Sequence, residues 1–142
     1  MSDLSMFFAD NAVAESNVKH VASKRFLGKD KNPMEWELRS ISSKEDEDIR
    51  KECTRKTPVP GQKGRFTSET DTNMYLGRLV AKCVVFPNLN DADLQNSYGV
   101  MGADNLVKAM LKSGEYSDLI IKIQALNGFN ESLDDMVEEA KN

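Results

Sequence analysis

The stretch TDTNMYLGRLVAKCVVF, residues 70–86, is the most hydrophobic helical segment of the chain and decides its fold. Placed on a helix, its apolar side chains cover well over half of the circumference. These apolar residues are Tyr75, Leu76, Leu79, Val80, Cys83, Val84 and Phe86. Arg78 and Lys82 mark a narrow polar side. The pattern predicts a helix in the centre of a bundle, with Ser68 and Asp71 as its capping residues.

A series of shorter amphipathic segments follows this central helix. They are NDADLQNSY (90–98), ADNLVKAMLKS (103–113), EYSDLIIKIQALN (115–127) and SLDDMVEEAKN (132–142). Their apolar residues recur at helical spacing, and glycines follow most of them as stop signals. In the last segment, Leu133, Met136 and Val137 belong to one apolar stripe. We therefore predict short helices with defined ends.

A charged helix precedes the central one, in SSKEDEDIRKECTRK, residues 42–56. Ser42 and Glu45 have the spacing of a capping box. Three acid-first pairs lie four residues apart: Asp46–Arg50, Glu47–Lys51 and Glu52–Lys56. The segment favours a solvated helix stabilised by its own charges over a carboxylate site for catalysis. The stretch that follows, residues 57–69, contains two prolines and two glycines and is predicted to be a loop.

A β-hairpin is predicted over residues 18–41. In MEWELR, Met34, Trp36 and Leu38 alternate with polar residues, which is the period of a half-buried strand. VKHVASKRF is the weaker partner strand, and LGKDKNP provides the turn. His20 then becomes an ordinary strand residue.

The first 17 residues, MSDLSMFFADNAVAESN, contain a compact apolar group in polar surroundings. The group consists of Leu4, Met6, Phe7 and Phe8. Chain termini are poorly ordered unless something holds them in place. The segment either folds back on its own domain or docks into a neighbouring subunit.

Together these patterns predict one domain, 1–142, of the α+β class and mostly α. Its parts are an apolar N-terminal segment (1–17), a hairpin (18–41) and a helical part (42–142) with a loop at 57–69. We expect the hairpin to pack, through Trp36 and Leu38, against a bundle of five to six helices. The balance of 39% hydrophobic and 30% charged residues is that of a globular protein rather than a disordered one.

Catalytic and metal-binding patterns do not rise above background in this sequence. Cys53 and Cys83 do not form a C-x-x-C pair, and His20 is the one histidine, so zinc-ligand spacing is missing. The two cysteines are expected to be small buried residues. We predict no enzyme, no catalytic residue, no metal and no cofactor.

The stretch SYGVMGADN, residues 97–105, contains two glycines three residues apart, as a phosphate-binding loop can. Such a loop follows a strand and ends in a helix N-terminus free to receive the anion. Here the glycines follow a predicted helix, and Asp104 would repel a phosphate. The two glycines are better explained as the joint between two helices, with Gly99 in a left-handed conformation.

The net charge and the hydropathy of the chain bear on whether it binds nucleic acid or a membrane. The net charge of −4 disfavours nucleic-acid binding, although Lys56, Lys63 and Arg65 form a basic loop that leaves a DNA-binding regulator as a remote alternative. The chain has no basic-then-apolar leader, and its apolar runs fall short of the roughly 18 residues of a spanning helix. We expect a cytoplasmic protein without membrane contact.

Several long blocks of the chain, in order, resemble the XkdN-like family of phage tail assembly chaperones. They are LSMFFADNAV, MEWELRSISSKEDEDIRKEC, VFPNLNDADLQNSYGVMGADNLVKAML, GEYSDLIIKIQALNGF and the terminal VEEAKN. The resemblance covers nearly the whole chain and is weakest at residues 56–70. Such proteins serve phages with contractile tails and related prophage particles of Gram-positive bacteria.

The resemblance implies a role in the cytoplasm of the bacterial host cell. Members of the family are expected to bind the tape measure protein, keep it soluble and help recruit tail tube subunits around it. The tail tube protein and a second copy of the chain are further candidate partners. The alternative is a structural tail component or adaptor that stays in the particle.

Two apolar groups are the candidate partner-binding residues. The first is Met6, Phe7 and Phe8; the second is the stripe of Leu133, Met136 and Val137. Apolar stripes of a helical partner could pack against such groups, and the negative charge would keep the complex soluble. Ordinary packing within the domain is the alternative explanation for both.

Overall fold

The computed structural model describes residues 3–129, and within them the protein is α+β with five helices and five strands. The helices are α1 (Ser43–Glu52), α2 (Thr72–Cys83), α3 (Ala92–Ser97), α4 (Ala103–Met110) and α5 (Ser113–Leu126). The strands are β1 (Val18–His20), β2 (Trp36–Leu38), β3 (Thr54–Pro58), β4 (Phe66–Thr70) and β5 (Val84–Phe86). Two 3₁₀ turns, Leu4–Phe7 and Ala9–Asn11, precede β1. The last predicted helix, residues 132–142, lies outside the described part.

Helix α2 is the centre of the fold, as predicted. The Asp71 side chain accepts a hydrogen bond from the Met74 N–H at 3.0 Å and so begins the helix. Leu79, Val80 and Cys83 are buried against the other helices and the sheet. Because α2 contacts α1, α4, α5 and β5, its side chains join all the layers of the domain.

Gly77 is a buried position of α2 that faces α4. A Cβ atom at this position would lie 3.3 Å from Lys108 Nζ and 3.5 Å from the Asp104 Cβ. The nearest of these atoms is the movable end of the Lys108 side chain, and the Asp104 Cβ is at an ordinary van der Waals distance. Leu106, Val107 and Met110 of α4 enter the core, as their spacing predicted.

The predicted extension of the central helix to residue 86 is wrong, because the helix ends at Cys83 and a strand follows at once. In β5, Val84 pairs with Leu38 and Phe86 with Glu37 of β2. A run of two valines and a phenylalanine suits a strand as well as a buried helix turn. In the folded chain, pairing of these residues with β2 stabilises the strand rather than a further turn of helix.

The N-terminal hairpin is present, but it is shorter than predicted and belongs to a three-stranded sheet of order β1-β2-β5. The register pairs Val18 with Leu38 and His20 with Trp36. Trp36 and Leu38 are buried, as predicted, whereas Met34 precedes the strand and is 38% exposed. The long connection 21–35 makes its own tight turn, closed by the bridge between Leu27 and Pro33, and this shortens both strands.

The charged helix α1 begins as its sequence predicts. Ser42 Oγ accepts from the Glu45 N–H at 3.2 Å, and Glu45 Oε1 accepts from the Ser42 N–H at 3.4 Å. The pairs Asp46–Arg50 and Glu47–Lys51 form at 2.9 and 3.3 Å. The predicted pair Glu52–Lys56 is wrong, since the helix ends at Glu52.

Residues 57–69, predicted to be a loop, instead belong largely to a second hairpin. Strands β3 and β4 pair from Thr54↔Thr70 to Pro58↔Phe66, and residues 59–65 make the turn. Every residue of β4 is exposed. The strands therefore lack the apolar–polar alternation that identifies a half-buried strand in a sequence.

The joint between α3 and α4 agrees with prediction, whereas Gly114, predicted to follow the next helix as its stop residue, lies in the first turn of α5. Asp91, one residue after the expected start, caps α3 by accepting from the Leu94 N–H at 2.9 Å. Gly99 has φ of +67° between α3 and α4, as expected for a left-handed stop residue. Leu119 and Ile123 of α5 are fully buried. Within residues 3–129, each of the predicted helices is therefore found.

A polar cluster connects α1 to α2. The Tyr75 hydroxyl donates to Asp46 Oδ1, and Arg50 Nε donates to Asp46 Oδ2 at 2.9 Å. The Arg50 guanidinium also lies 4.3 Å from the centre of the Tyr75 ring. Burial and the hydrogen bond to Asp46 raise the pKa of Tyr75 to about 12. Burial alone would raise the pKa of Asp46, but the bonds from Tyr75 and Arg50 outweigh it and lower this pKa.

Replacing Asp46 with Asn should lower the free energy of unfolding at neutral pH by about 1–2 kcal/mol, because a charge-assisted bond is lost. A carboxylate with a lowered folded-state pKa stabilises the protein above its unfolded-state pKa, which is about 3.9. That stabilisation disappears as the pH falls through the lower folded value. Denaturant unfolding should therefore show a difference between wild type and D46N that shrinks below about pH 4. A difference that is the same at pH 7 and pH 3 would contradict this role.

Gly99→Ala should destabilise the protein by about 1 kcal/mol, because an alanine is strained at positive φ. Gly114, at the start of α5, is the matched control, since a Cβ atom meets nothing within 4 Å at either position and its φ is not positive. Gly114→Ala should leave stability unchanged or raise it by up to about 1 kcal/mol. Equal effects in thermal unfolding would show that backbone conformation is not the cause.

Candidate partner-binding surface

The N-terminal segment, residues 3–17, presents large apolar side chains to solvent. Its first 3₁₀ turn and the residue after it expose Met6 by 66%, Phe7 by 85% and Phe8 by 57%. Leu4 and Val13 are also exposed. Four large apolar side chains lie within five residues and none of them is buried, a local concentration of exposed apolar surface that is typical of interaction sites.

The segment holds its shape through its own hydrogen bonds. The Phe8 N–H donates to the Ser5 carbonyl at 3.1 Å, and Asn11 Nδ2 donates to the same carbonyl at 2.7 Å. Attachment to the domain comes later, where Ser40 Oγ donates to a Glu15 carboxylate oxygen at 2.9 Å. Phe7 and Phe8 therefore lie on a turn with its own hydrogen bonds, on the N-terminal side of the contact between Glu15 and Ser40.

This arrangement does not agree with one of the two sequence-based expectations for the segment, and it leaves docking into a neighbouring subunit untested. The apolar group does not fold back into the core, whose buried residues begin at Ala22 in the described part of the chain. Met6, Phe7 and Phe8 are brought together on one turn. Their assignment as partner-binding residues stays a prediction. The second predicted group, Leu133, Met136 and Val137, lies outside the described residues.

A polar groove of about 630 Å³ lies between α1, α2 and the start of α4. Its charged lining is formed by Glu45, Asp48, Glu52, Arg78, Lys82 and Asp104. Two of the acids are already paired: Glu45 with Arg39 and Glu52 with Arg78, each at 3.0 Å. The lining is mainly polar and charged, unlike the predominantly apolar walls of a typical small-molecule site.

The two cysteines and the histidine lie in the core and in strand β1. Cys53 and Cys83 are free thiols buried in the core, as predicted, and burial raises the pKa of both. Burial and the nearby Lys122 lower the pKa of His20, which stays a strand residue of β1. These shifts come from desolvation and not from a nucleophile–base geometry.

Across residues 3–129, histidine, cysteine and carboxylate side chains do not gather in groups of three that could hold a metal ion. In the same range, every helix is too short or too polar to cross a membrane.

Sequence analysis missed further exposed apolar residues on the body of the protein. Met101 is 85% exposed in the α3–α4 joint, and Phe66 and Ile121 are 59% and 56% exposed. Ile121 could have been recognised, because it lies between Ile120 and Ile123 but off the face they share with Leu119. Met101 sits in a joint without periodicity, so the sequence carries no comparable signal for it.

Comparison with known proteins gives the chain its family. A family model described as phage XkdN-like tail assembly chaperone protein, TAC, matches residues 4–141. The phage-like element PBSX protein XkdN of Bacillus subtilis (strain 168) is 30% identical over 141 residues, which are 99% of this chain and 94% of XkdN. The uncharacterized protein YqbN of the same strain is also 30% identical, over 99% of this chain and 93% of YqbN.

The fold has a counterpart in a crystal structure of the protein YqbN. The TM-score is 0.76 at 23% identity, over 91% of this chain and 98% of that chain. At this identity the likeness speaks for the shared fold alone, whereas the family assignment rests on the sequence match along nearly the whole chain. The protein belongs to the XkdN-like family of phage tail assembly chaperones.

Proposed function

We propose that this protein binds the tape measure protein of a phage or prophage tail, keeps it soluble and helps to recruit tail tube subunits around it. The exposed apolar turn of Met6, Phe7 and Phe8 is the observation that carries the proposal. The family assignment supplies the setting of tail assembly. The site of action is the cytoplasm of the bacterial host cell, and the tail is of the contractile type.

The chemistry of the turn fits a helical partner with apolar stripes. Two aromatic rings and a flexible thioether adapt to successive turns of a long amphipathic helix better than a rigid pocket does. Burying one such side chain contributes about 1.5–3 kcal/mol. Three together stabilise a complex of useful affinity and can still release the partner when tube subunits displace them.

The charge distribution supports the same role. Within residues 3–17 the charged residues are Asp3, Asp10 and Glu15, all acidic, and the whole chain carries −4. The acids lie beside the apolar turn and not within it. An aggregation-prone partner whose stripe is covered by this segment therefore gains negative charge as it loses exposed apolar surface. No chemical transformation is needed for this function, which we propose to be non-enzymatic.

Replacing Phe7 and Phe8 together with Ala should weaken binding of the co-expressed tape measure protein by about tenfold or more for each ring. Stability should change by less than about 0.5 kcal/mol, because neither ring is in the core. Co-purification and the soluble fraction of tape measure protein are the readouts for binding, and thermal unfolding is the readout for stability.

Ile121→Ala is the matched control, since Ile121 is an exposed apolar residue that belongs to α5 and not to the N-terminal segment. It should leave tape measure solubility unchanged.

A stability loss of about 3–5 kcal/mol in F7A/F8A would show instead that the rings belong to the core. Tape measure solubility that does not depend on this protein would contradict the chaperone function. Stoichiometric amounts in purified particles, measured by mass spectrometry, would favour the alternative of a retained tail component.

A further inference from the structure

The β3–β4 hairpin stands away from the core. Every residue of β4 is exposed, and in β3 only Thr54 is half-buried. At its base, Thr54 Oγ1 is 2.9 Å from Thr70 Oγ1, and the Asp71 N–H donates to the Cys53 carbonyl at 2.8 Å. Two strands without a packed face are marginally stable in water, and a third strand or a covering element is usually needed.

The register fixes which backbone groups of the hairpin are free. Opposite residues of an antiparallel pair alternate between those that exchange hydrogen bonds and those that do not. The Val59 N–H donates to Arg65 O at 3.0 Å, and the Asp71–Cys53 bond continues the same ladder. With the observed pairing, the N–H and C=O groups of β4 that point outward are therefore those of Phe66, Ser68 and Thr70.

The two edges of the hairpin differ in their capacity to pair. The outward positions of β3 are Thr54, Lys56 and Pro58. Pro58 has no N–H to donate, and self-pairing centred on Lys56 would set two ammonium groups opposite each other. Lysine and proline protect natural sheets against edge-to-edge association. The outward positions of β4 contain neither, so this edge is open.

We propose that two copies of the protein associate by antiparallel pairing of their β4 strands, centred on Ser68. In this register Ser68 faces Ser68 of the second copy, and Phe66 faces Thr70 in both directions. All three outward residues of each strand then exchange hydrogen bonds. The result is a four-stranded sheet in the order β3-β4-β4-β3 around a two-fold axis.

Charge complementarity points to a second copy as the occupant. The same register sets Arg65 of one copy opposite Asp71 of the other, and the two-fold axis repeats this opposite-charge pair. Glu69 faces Thr67, so like charges do not meet along the strand. Phe66, 59% exposed in one copy, gains a β-branched neighbour in Thr70. This association does not depend on the proposed binding of the tape measure protein.

Sedimentation equilibrium of the full chain, from low micromolar to near-millimolar concentration, tests the proposal with a matched pair of proline variants. Ser68→Pro removes an outward donor at the centre of the proposed interface and leaves the intramolecular ladder intact. It should raise the dimer dissociation constant by about tenfold or more. Lys56→Pro removes the equivalent donor on the other edge and should dimerise like the wild type.

A second pair of variants keeps the test valid if a proline disturbs the hairpin. Arg65→Glu would face Asp71 with a like charge and should weaken the dimer by about tenfold. Lys63→Glu makes the same change of charge in the turn, outside the paired residues, and should have a much smaller effect. Amide exchange of Phe66, Ser68 and Thr70 should slow as the protein concentration rises.

Three outcomes would overturn the proposal. A wild type that stays monomeric throughout, even if its hairpin binds DNA or an extended peptide, excludes a second copy as the occupant. Equal loss of the dimer in S68P and K56P, or in R65E and K63E, contradicts the assignment to the β4 edge. A dimer that survives S68P and R65E but dissociates in F7A/F8A would place the interface at the N-terminal segment.

Discussion

The burial of α2 on nearly all sides is the constraint on which the rest of the structure depends. Leu79, Val80 and Cys83 of this one helix belong to the same core as buried residues of the other helices and the sheet. Since β5 continues directly from the last turn of α2, the same helix also sets the position of the sheet. Buried Trp36 and Leu38 of β2 pack into this one core. The N-terminal segment and the β3–β4 hairpin project from it and contribute no buried apolar residue to it.

Sequence patterns predicted the structure correctly where the local pattern is compatible with one conformation only. The capping box of Ser42 and Glu45, the helical spacing of Leu106, Val107 and Met110, and the turn at Gly99 each predicted the observed structure. The predictions were wrong where one local pattern is compatible with two conformations. Val84–Phe86 is apolar in a helix or a strand, and its pairing with β2 is a long-range contact that the local pattern does not contain. The β3–β4 hairpin lacks a buried face, so alternation could not reveal it.

The candidate site could be predicted in part. The apolar composition of Met6, Phe7 and Phe8 was visible in the sequence, but composition alone left both packing against the domain and exposure open. Whether a side chain is exposed depends on the folded chain. Here α2, α4, α5 and the sheet form the core, and the turn with Met6, Phe7 and Phe8 precedes the hydrogen bond between Glu15 and Ser40. A stable body and an exposed apolar turn together are the arrangement that an assembly chaperone requires.

Amide hydrogen exchange of the protein, alone and in the proposed complex with a tape measure protein, tests this central claim most directly. The account predicts that amides of residues 4–12 exchange quickly in the free protein, where short 3₁₀ turns protect them weakly, and slow strongly in the complex. The amides of α2 and α5 should be protected to the same extent in both. Unchanged exchange of residues 4–12 in the complex, with new protection confined to the body, would contradict the claim that this segment is the binding surface.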